Sequence, residues 1–252
     1  MGRLDGKVAI ITGAGSGIGR QIALGYAREG AQVLAADVNL AGAEQTASGS
    51  DTGRIVACHA DVTDEASVQE TIAQAVARFG RLSVMVNNAA IQLHGQDGPC
   101  HTVPLDVWER THAVNLRGPF LGSKHALPAL MANGGGVIVN IASPTAFAGL
   151  GAGYTAYSTS KGGVVTLTRA IAKDYAQYGI RCNAIVPGAT ETPLTDEIFA
   201  DQSVRQALTA QTALGRLGRP EDLVGIAIFL ASDEAAFATG AHFFVDGGLT
   251  LH

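Results

Sequence analysis

The chain has 252 residues, 47% hydrophobic and 15% charged, with a formal net charge of −5 at pH 7. This length and composition predict one α/β domain with a sizeable core. The negative charge and the lack of a long basic run argue against a nucleic-acid surface. The apolar runs have only strand length, so neither a signal peptide nor a membrane span is predicted.

The three cysteines are few, odd in number and far apart in the chain. Such spacing fits reduced thiols in a cytoplasmic protein better than a disulfide framework. Cysteine and histidine positions do not match the spacing of a metal site, so no metal is expected. Scattered surface or loop histidines explain the remaining pattern.

Short β-branched runs alternate with longer helical stretches along the whole chain. The runs predict buried parallel strands at 8–11, 32–36, 54–58, 83–86, 137–141 and 181–186, with a seventh at 242–245. The intervening stretches long enough for crossover helices are 17–29, 64–79, 104–132, 155–178 and 219–231. This alternation predicts a single-domain Rossmann-like α/β fold over residues 1–252. It is a doubly wound parallel sheet of about seven strands with helices on both faces.

A glycine-rich turn follows the first predicted strand and opens the first helix. It reads Thr12-Gly13-Ala14-Gly15-Ser16-Gly17-Ile18-Gly19. Glycines let the backbone approach a pyrophosphate closely, and the helix N-terminus favours its negative charge. The chain has 32 glycines, so the pattern gains weight only from its place between a strand and a helix. It predicts a dinucleotide site.

Asp37 ends the second predicted strand, 18 residues after Gly19. A carboxylate there can accept hydrogen bonds from the adenosine ribose hydroxyls and repels a 2′-phosphate. Val38, Asn39 and Leu40 supply no cation for such a phosphate. The position predicts NAD rather than NADP, and the alternative is an aspartate that only caps a helix.

Tyr157 and Lys161 have the i,i+4 spacing that places two side chains on one face of a helix. A nearby lysine charge favours a tyrosine phenolate, so we expect Lys161 to lower the pKa of Tyr157. This would make the phenol a usable proton shuttle near neutral pH. Any solvated helix face can carry such a pair, so the signal is weak by itself.

Further motifs agree with these two. They are Asp61-Val62 after the third strand, Asn87-Asn88-Ala89-Ala90 after the fourth, Asn115 between Val114 and Leu116, Ser143 before the tyrosine, and Pro187-Gly188-Ala189-Thr190-Glu191-Thr192-Pro193 after the sixth strand. Taken together over nearly the whole chain, the sequence resembles the short-chain dehydrogenases/reductases. Two departures are Ala90 where that family has glycine, and Ser143 standing fourteen rather than thirteen residues before Tyr157.

The resemblance implies the site. Its catalytic residues would be Asn115, Ser143, Tyr157 and Lys161. Its cofactor-binding residues would be Gly13, Ser16, Gly17, Ile18, Gly19, Asp37, Asp61, Val62, Asn88, Ala89, Tyr157, Lys161, Pro187, Gly188, Thr190 and Thr192. Lys161 would also bind the nicotinamide ribose, and Thr192 the carboxamide.

Pro119 lacks an N–H, so the carbonyl of Asn115, four residues earlier, loses its helical partner. We expect a helix kinked at Gly118-Pro119 and hypothesise that the freed carbonyl holds a water of a proton relay from Lys161. A proline kink that serves packing alone is the alternative.

Two further features concern the substrate. Residues 190–215 are predicted to form a lid, with Phe199, Val204, Leu208 and Leu214 among polar residues, and a packed surface helix is the alternative. By position, the candidate pocket residues are Gln92, His94, Thr145, Phe147, Leu150 and Tyr154. They mix apolar and hydrogen-bonding groups and do not select among small, cyclic and polyol alcohols.

The sequence therefore predicts an NAD-dependent oxidoreductase that interconverts a secondary alcohol and its ketone. We expect a homotetramer, as in similar enzymes, with apolar residues of helix 155–178 available for contact. Nucleic-acid and membrane partners are not expected. The alternatives are an NADPH-dependent 3-oxoacyl-type ketoreductase and a non-catalytic dinucleotide-binding protein.

Overall fold

A computed structural model describes residues 2–148 and 153–251. Their seven strands form one sheet of order β3-β2-β1-β4-β5-β6-β7, and every neighbouring pair is parallel. The strands are β1 (Val8–Thr12), β2 (Gln32–Asp37), β3 (Ile55–His59), β4 (Val84–Asn87), β5 (Gly136–Ile141), β6 (Ile180–Pro187) and β7 (His242–Val245). The predicted fold class and all seven predicted strands are confirmed.

Helices cover both faces of this sheet. They are α1 (Gly17–Arg28), α2 (Leu40–Ser48), α3 (Glu65–Phe79), α4 (Leu105–His112), α5 (Gly118–Ala132), α6 (Thr155–Tyr175), α7 (Asp196–Ala200), α8 (Gln202–Gln211) and α9 (Val224–Ala231). The sequence reading did not include α2. None of the helices in the described ranges is long and apolar enough to cross a membrane.

Alternate residues of the central strands pack into different hydrophobic clusters on the two faces of the sheet. Ile11 of β1 packs with Ile22 and Tyr26 of α1 and with Leu230 of α9 on one face. Ile10, its neighbour in the strand, belongs to the other core, which includes residues of α3, α5 and α6. Successive strand side chains point to opposite faces, so burial on both faces requires the continuous apolar runs seen in the sequence.

The strand order reverses between β1 and β4, which are hydrogen-bonded neighbours at the middle of the sheet. In open α/β sheets the ligand crevice lies outside the carboxyl ends of the strands at such a point. The segments following β1, β4 and β5 meet there, so the topology brings the glycine-rich turn, the Asn87–Ala90 turn and Ser143 to the same edge.

Candidate active site

Glycine is required in the turn after β1 because the backbone is crowded. A Cβ at Gly13 would lie 2.8 Å from Asn88 Nδ2, and one at Gly19 would lie 2.2 Å from the Gly13 carbonyl oxygen. Asn88 Nδ2 donates to the carbonyls of Thr12 (2.9 Å) and Gly13 (3.1 Å). The glycine-rich turn and the turn after β4, both predicted to bind the cofactor, are therefore hydrogen-bonded to each other.

Helix α1 begins directly after this turn. Ser16 occupies the N-cap position without a side-chain bond to the helix in the described chain, and the first turn carries no acidic residue. Gly17 follows with φ +51°, and its Cβ position lies 3.3 Å from Cβ of Thr192. Free N–H groups at a helix start suit a pyrophosphate, so this cradle fits a dinucleotide.

Asp37 is held by the same turn. Its Oδ2 accepts from the backbone N–H of Gly15 (2.7 Å), and its Oδ1 accepts from that of Asn39 (2.8 Å). The nearest cation contacting the turn, Arg20, is already engaged, because its guanidinium donates to the Gly15 carbonyl and to Thr46 Oγ1. The Asp37 carboxylate is therefore fixed against the glycine-rich turn by two backbone N–H groups.

The other residues predicted to line the cofactor site also lie at the carboxyl edge. Asp61 follows β3, and its Oδ1 accepts from the N–H (2.8 Å) and the hydroxyl (2.7 Å) of Thr63, bonds that lower the pKa of the carboxyl. Val62 touches the chain at Gly118, where an added Cβ would lie 3.0 Å from Val62 Cγ2.

The segment after β6 is folded back on itself. Thr190 Oγ1 donates to the Gly188 carbonyl (2.9 Å), and Thr190 pairs with Gly218 in a short parallel bridge. Thr195 Oγ1 donates to the Thr190 carbonyl (2.7 Å) and accepts from the Thr192 N–H (3.0 Å). These bonds anchor the stretch between Pro187 and Thr192 beside the glycine-rich turn.

Tyr157, Lys161 and Ser143 meet at the end of β5, where their side chains are at most 9% exposed. Lys161 Nζ donates to the carbonyl of Ile141 (2.9 Å) and lies 5.8 Å from the centroid of the Tyr157 ring. The Ser143 hydroxyl interacts with the phenol and lowers its pKa. Ser143, one residue further from the tyrosine than in the family pattern, therefore still lies beside Tyr157.

The pKa of Tyr157 contradicts one prediction. Burial raises the pKa of this phenol to about 12, and the Ser143 hydroxyl only partly opposes that rise. Burial also lowers the pKa of the Lys161 ammonium to about 8. Ser143, and not Lys161, is the group that lowers the phenol pKa, while desolvation disfavours the charged form of both Tyr157 and Lys161.

Thr145 orients Ser143. Its backbone N–H (3.3 Å) and its hydroxyl (3.0 Å) both donate to Ser143 Oγ. With its lone pairs engaged, Ser143 is left with its own O–H to donate. Thr145 was predicted to face the substrate, and its observed contacts indicate a role behind Ser143.

Asn115 lies in a π-helical segment, Ala113–Arg117, that joins α4 to α5. The N–H of Gly118 bonds back five residues to the carbonyl of Ala113. A π turn, a feature common at functional sites, therefore lies immediately before Gly118-Pro119, where we predicted a kink. The Asn115 side chain exchanges two 2.8 Å bonds with the backbone of Ile91 and reaches Ser160 Oγ at 3.4 Å.

The predicted pocket residues divide into three groups. Gln92 and His94 lie in the loop after β4. The His94 ring lies edge-on to the Tyr154 ring, with 5.9 Å between the ring centroids. The Nε2 atom of His94 lies 3.2 Å from the Leu194 carbonyl oxygen. Phe147 packs on the edge strand β7, with its ring centroid 5.4 Å from that of His242 and 5.0 Å from that of Phe244. Leu150 lies outside the described residues.

Comparisons with known proteins agree with this arrangement. The family model described as Enoyl-(Acyl carrier protein) reductase matches residues 13–250. The 2-(R)-hydroxypropyl-CoM dehydrogenase of Xanthobacter autotrophicus is 38% identical over 97% of this chain and 98% of its own length. The L-rhamnose 1-dehydrogenase (NAD(P)(+)) of a Sphingomonas species is 40% identical over 99% and 98%.

A crystal structure of a Burkholderia xenovorans chain assigned to the short-chain dehydrogenases/reductases superposes with a TM-score of 0.94. It is 37% identical and covers 100% of this chain and 99% of its own. The chain is a short-chain dehydrogenase/reductase. Members of this family bind a nicotinamide dinucleotide. The relatives support the conclusion that this short-chain dehydrogenase/reductase is an oxidoreductase that acts on CH–OH groups.

Sequence reasoning missed one residue of this short-chain dehydrogenase/reductase that touches the catalytic helix. Asp97, in the loop after β4, accepts from the N–H groups of Ala156 (3.1 Å) and Tyr157 (2.9 Å) at the start of α6. No local signal pointed to it, because its partners lie about 60 residues away along the chain. Arg20 was also missed, although its place just after the glycine-rich turn was a usable signal.

Proposed function

We propose that this protein is an NAD-dependent dehydrogenase that interconverts a secondary alcohol and its ketone. The observation that carries the proposal is the meeting of Ser143, Tyr157 and Lys161 at the end of β5, beside the glycine-rich turn. When bound, the nicotinamide accepts or supplies the hydride.

Each residue of this group has a separate task. The Ser143 hydroxyl donates to the substrate oxygen, since Thr145 occupies its lone pairs. Tyr157 exchanges the proton at that oxygen. Lys161 adds positive charge behind the phenol and would bind the ribose hydroxyls of the cofactor, and the Asn115 carbonyl would hold a water that links Lys161 to solvent. With a pKa raised to about 12, Tyr157 is protonated at neutral pH and ready to serve ketone reduction, so alcohol oxidation should accelerate with rising pH.

The choice of NAD rests on Asp37. Its carboxylate is held at the mouth of the glycine-rich turn by two backbone N–H groups, and Arg20 is occupied by the turn itself. A 2′-phosphate would meet this negative charge, while the Nε and Nη2 donors of Arg20 already bond to the protein. An NADPH-dependent 3-oxoacyl-type ketoreductase is the second candidate, favoured by the 3-oxoacyl-[acyl-carrier-protein] reductase FabG of Thermotoga maritima, which is 37% identical over 99% of this chain.

The deciding experiment measures initial rates with NAD⁺ and NADP⁺ over secondary, cyclic and polyol alcohols. The wild type is compared with Tyr157→Phe and with Tyr178→Phe, which changes an exposed tyrosine beyond α6. NAD-linked turnover that falls at least about 100-fold only in Tyr157→Phe supports the proposal. Preference for NADPH with a 3-oxoacyl thioester would favour the second candidate. NADH binding without turnover of any substrate would favour a non-catalytic protein.

We also propose that residues 190–215 form a lid. Only Phe199 of α7 is buried, and none of the described residues of α8 is. The Thr190–Gly218 bridge closes the base of the segment, and an Arg205–Glu191 ion pair ties α8 to it. Substrate should therefore slow amide exchange in α8, which hydrogen-exchange mass spectrometry can measure.

A homotetramer is proposed for the assembly. Phe147 and Phe244 present 43% and 42% of their surfaces along the edge strand, where a neighbouring copy could cover them. Light scattering of the purified protein tests this, and substitution of Phe244 by Glu should reduce the measured mass.

A further inference from the structure

Helix α6, which carries Tyr157 and Lys161, begins without a capping side chain of its own. Tyr154 occupies the N-cap position and makes no side-chain bond to the helix in the described part of the chain. Residues 148–153 before it read Ala-Gly-Leu-Gly-Ala-Gly, a sequence with no side chain able to accept a hydrogen bond. The first N–H groups of a helix need acceptors from elsewhere.

Those acceptors come from the loop after β4. Asp97 receives the N–H of Ala156 on Oδ1 (3.1 Å) and that of Tyr157 on Oδ2 (2.9 Å), and its Oδ1 also accepts from Gly98 (2.8 Å). The Gly98 carbonyl takes the N–H of Thr155 (3.4 Å). A carboxylate at a helix N-terminus is favoured by both hydrogen bonding and the helix dipole.

The same loop contacts the rest of the site. Its start, Asn88, braces the glycine-rich turn, and Ile91 is bonded to Asn115 in the π-helical segment. His94, three residues before Asp97, contacts Tyr154 and the base of the lid at Leu194. Through Asp97 this loop also binds the backbone N–H of Tyr157.

We propose that Asp97 is a positioning residue for catalysis, which fixes the first turn of α6 and so sets the place of the Tyr157 phenol relative to Ser143. The proposal rests on the proposed role of Tyr157 as the proton-exchanging group. Asp97 does not touch the reacting atoms; it acts through the Tyr157 backbone. Misplacement of a catalytic group by about 1 Å can lower a rate roughly 100-fold, so a loosened first turn should be visible in kcat.

The test compares Asp97→Ala, Asp97→Asn and Asp64→Ala by steady-state kinetics, with Tyr157→Phe in the same set. Asp64 is a matched control because it caps α3 in the same way, accepting from the N–H groups of Ala66 (3.3 Å) and Ser67 (3.2 Å). We expect Asp97→Ala to lower kcat at least about tenfold while the KM for NAD⁺ stays within about twofold. Asn retains one of the two accepting oxygens, so Asp97→Asn should recover only part of the lost kcat.

Three results would overturn the proposal. Wild-type kcat in Asp97→Ala, with Tyr157→Phe inactive, would show that the carboxylate does not position the tyrosine. An equal loss of kcat in Asp97→Ala and Asp64→Ala at matched thermal stability would indicate a purely structural cap. Full activity in Tyr157→Phe would remove the proposed function and this role with it, an outcome distinct from the first.

Discussion

The buried charge of Lys161 should make the unfolding free energy depend on pH. Its ammonium is buried, 2% exposed, and burial lowers its pKa from 10.5 to about 8. That difference corresponds to about 3 kcal/mol. Below pH 8 the lysine is charged in the folded protein, and burial of the charge lowers the unfolding free energy by this amount. Lys161→Met removes this cost but leaves the Ile141 carbonyl without its donor, which costs about 1–3 kcal/mol.

At pH 7 the variant should therefore be as stable as the wild type or more stable by up to about 2 kcal/mol, although inactive. At higher pH the wild type becomes the more stable of the two proteins. Between pH 8 and 10.5 the unfolded lysine still binds a proton that the folded one has released, so the wild-type unfolding free energy rises with pH relative to the variant. From pH 7 to pH 10 the difference should shift by about 2–3 kcal/mol in favour of the wild type.

Urea unfolding of both proteins at pH 7 and pH 10 measures this shift, with other titrations cancelling in the difference. Lys173→Met, which changes an exposed lysine of the same helix, is the matched control and should show no such shift. The assignment of a buried charged lysine would be refuted if the difference in unfolding free energy between wild type and Lys161→Met stayed constant within about 0.5 kcal/mol from pH 7 to pH 10.

Three further predictions follow from single contacts. Asp37→Ser should raise kcat/KM for NADP⁺ relative to NAD⁺ by at least about tenfold, measured with one alcohol; an unchanged ratio would count against Asp37 as the selecting residue. Thr145→Val should lower kcat about tenfold and Thr145→Ser should restore it, because only the latter keeps a hydroxyl donor for Ser143. Gly122→Ala would place a Cβ 2.3 Å from Asn87 Oδ1 and should lower the unfolding free energy by about 2 kcal/mol or more. Gly225→Ala, whose Cβ would meet no described atom within 4 Å, should not be destabilising in the same urea titration.

The sequence predicted the sheet well because its strands are buried on both faces and therefore form continuous apolar runs. Helix α2 was missed, since Leu40–Ser48 contains small and polar residues with little apolar periodicity. The signal that could have found it is Asn39, whose side chain accepts from the N–H of Gly42 as an N-cap.

The site was predictable only in part for a different reason. Spacing placed Tyr157 and Lys161 on one helix face, and Pro119 indicated an interrupted helix. Sequence spacing does not report desolvation, so it gave the wrong direction for the tyrosine pKa. Nor could it pair Asp97 with a helix that begins nearly 60 residues later, because that contact depends on the path of the loop through space.

A chain of buried amides runs beneath the site. Asn87 Nδ2 donates to Asn140 Oδ1 (2.8 Å), and Asn140 Nδ2 donates to Thr168 Oγ1 (2.9 Å), about two helical turns after Lys161 on α6. Hydrogen bonds of this kind tolerate no slippage, since a shift by one turn would leave polar atoms unpaired in the interior. The helix therefore has one permitted height against β4 and β5. The loops above can vary at positions other than Asp97 while α6 keeps its height against the sheet, so substrate preference can evolve without moving this helix.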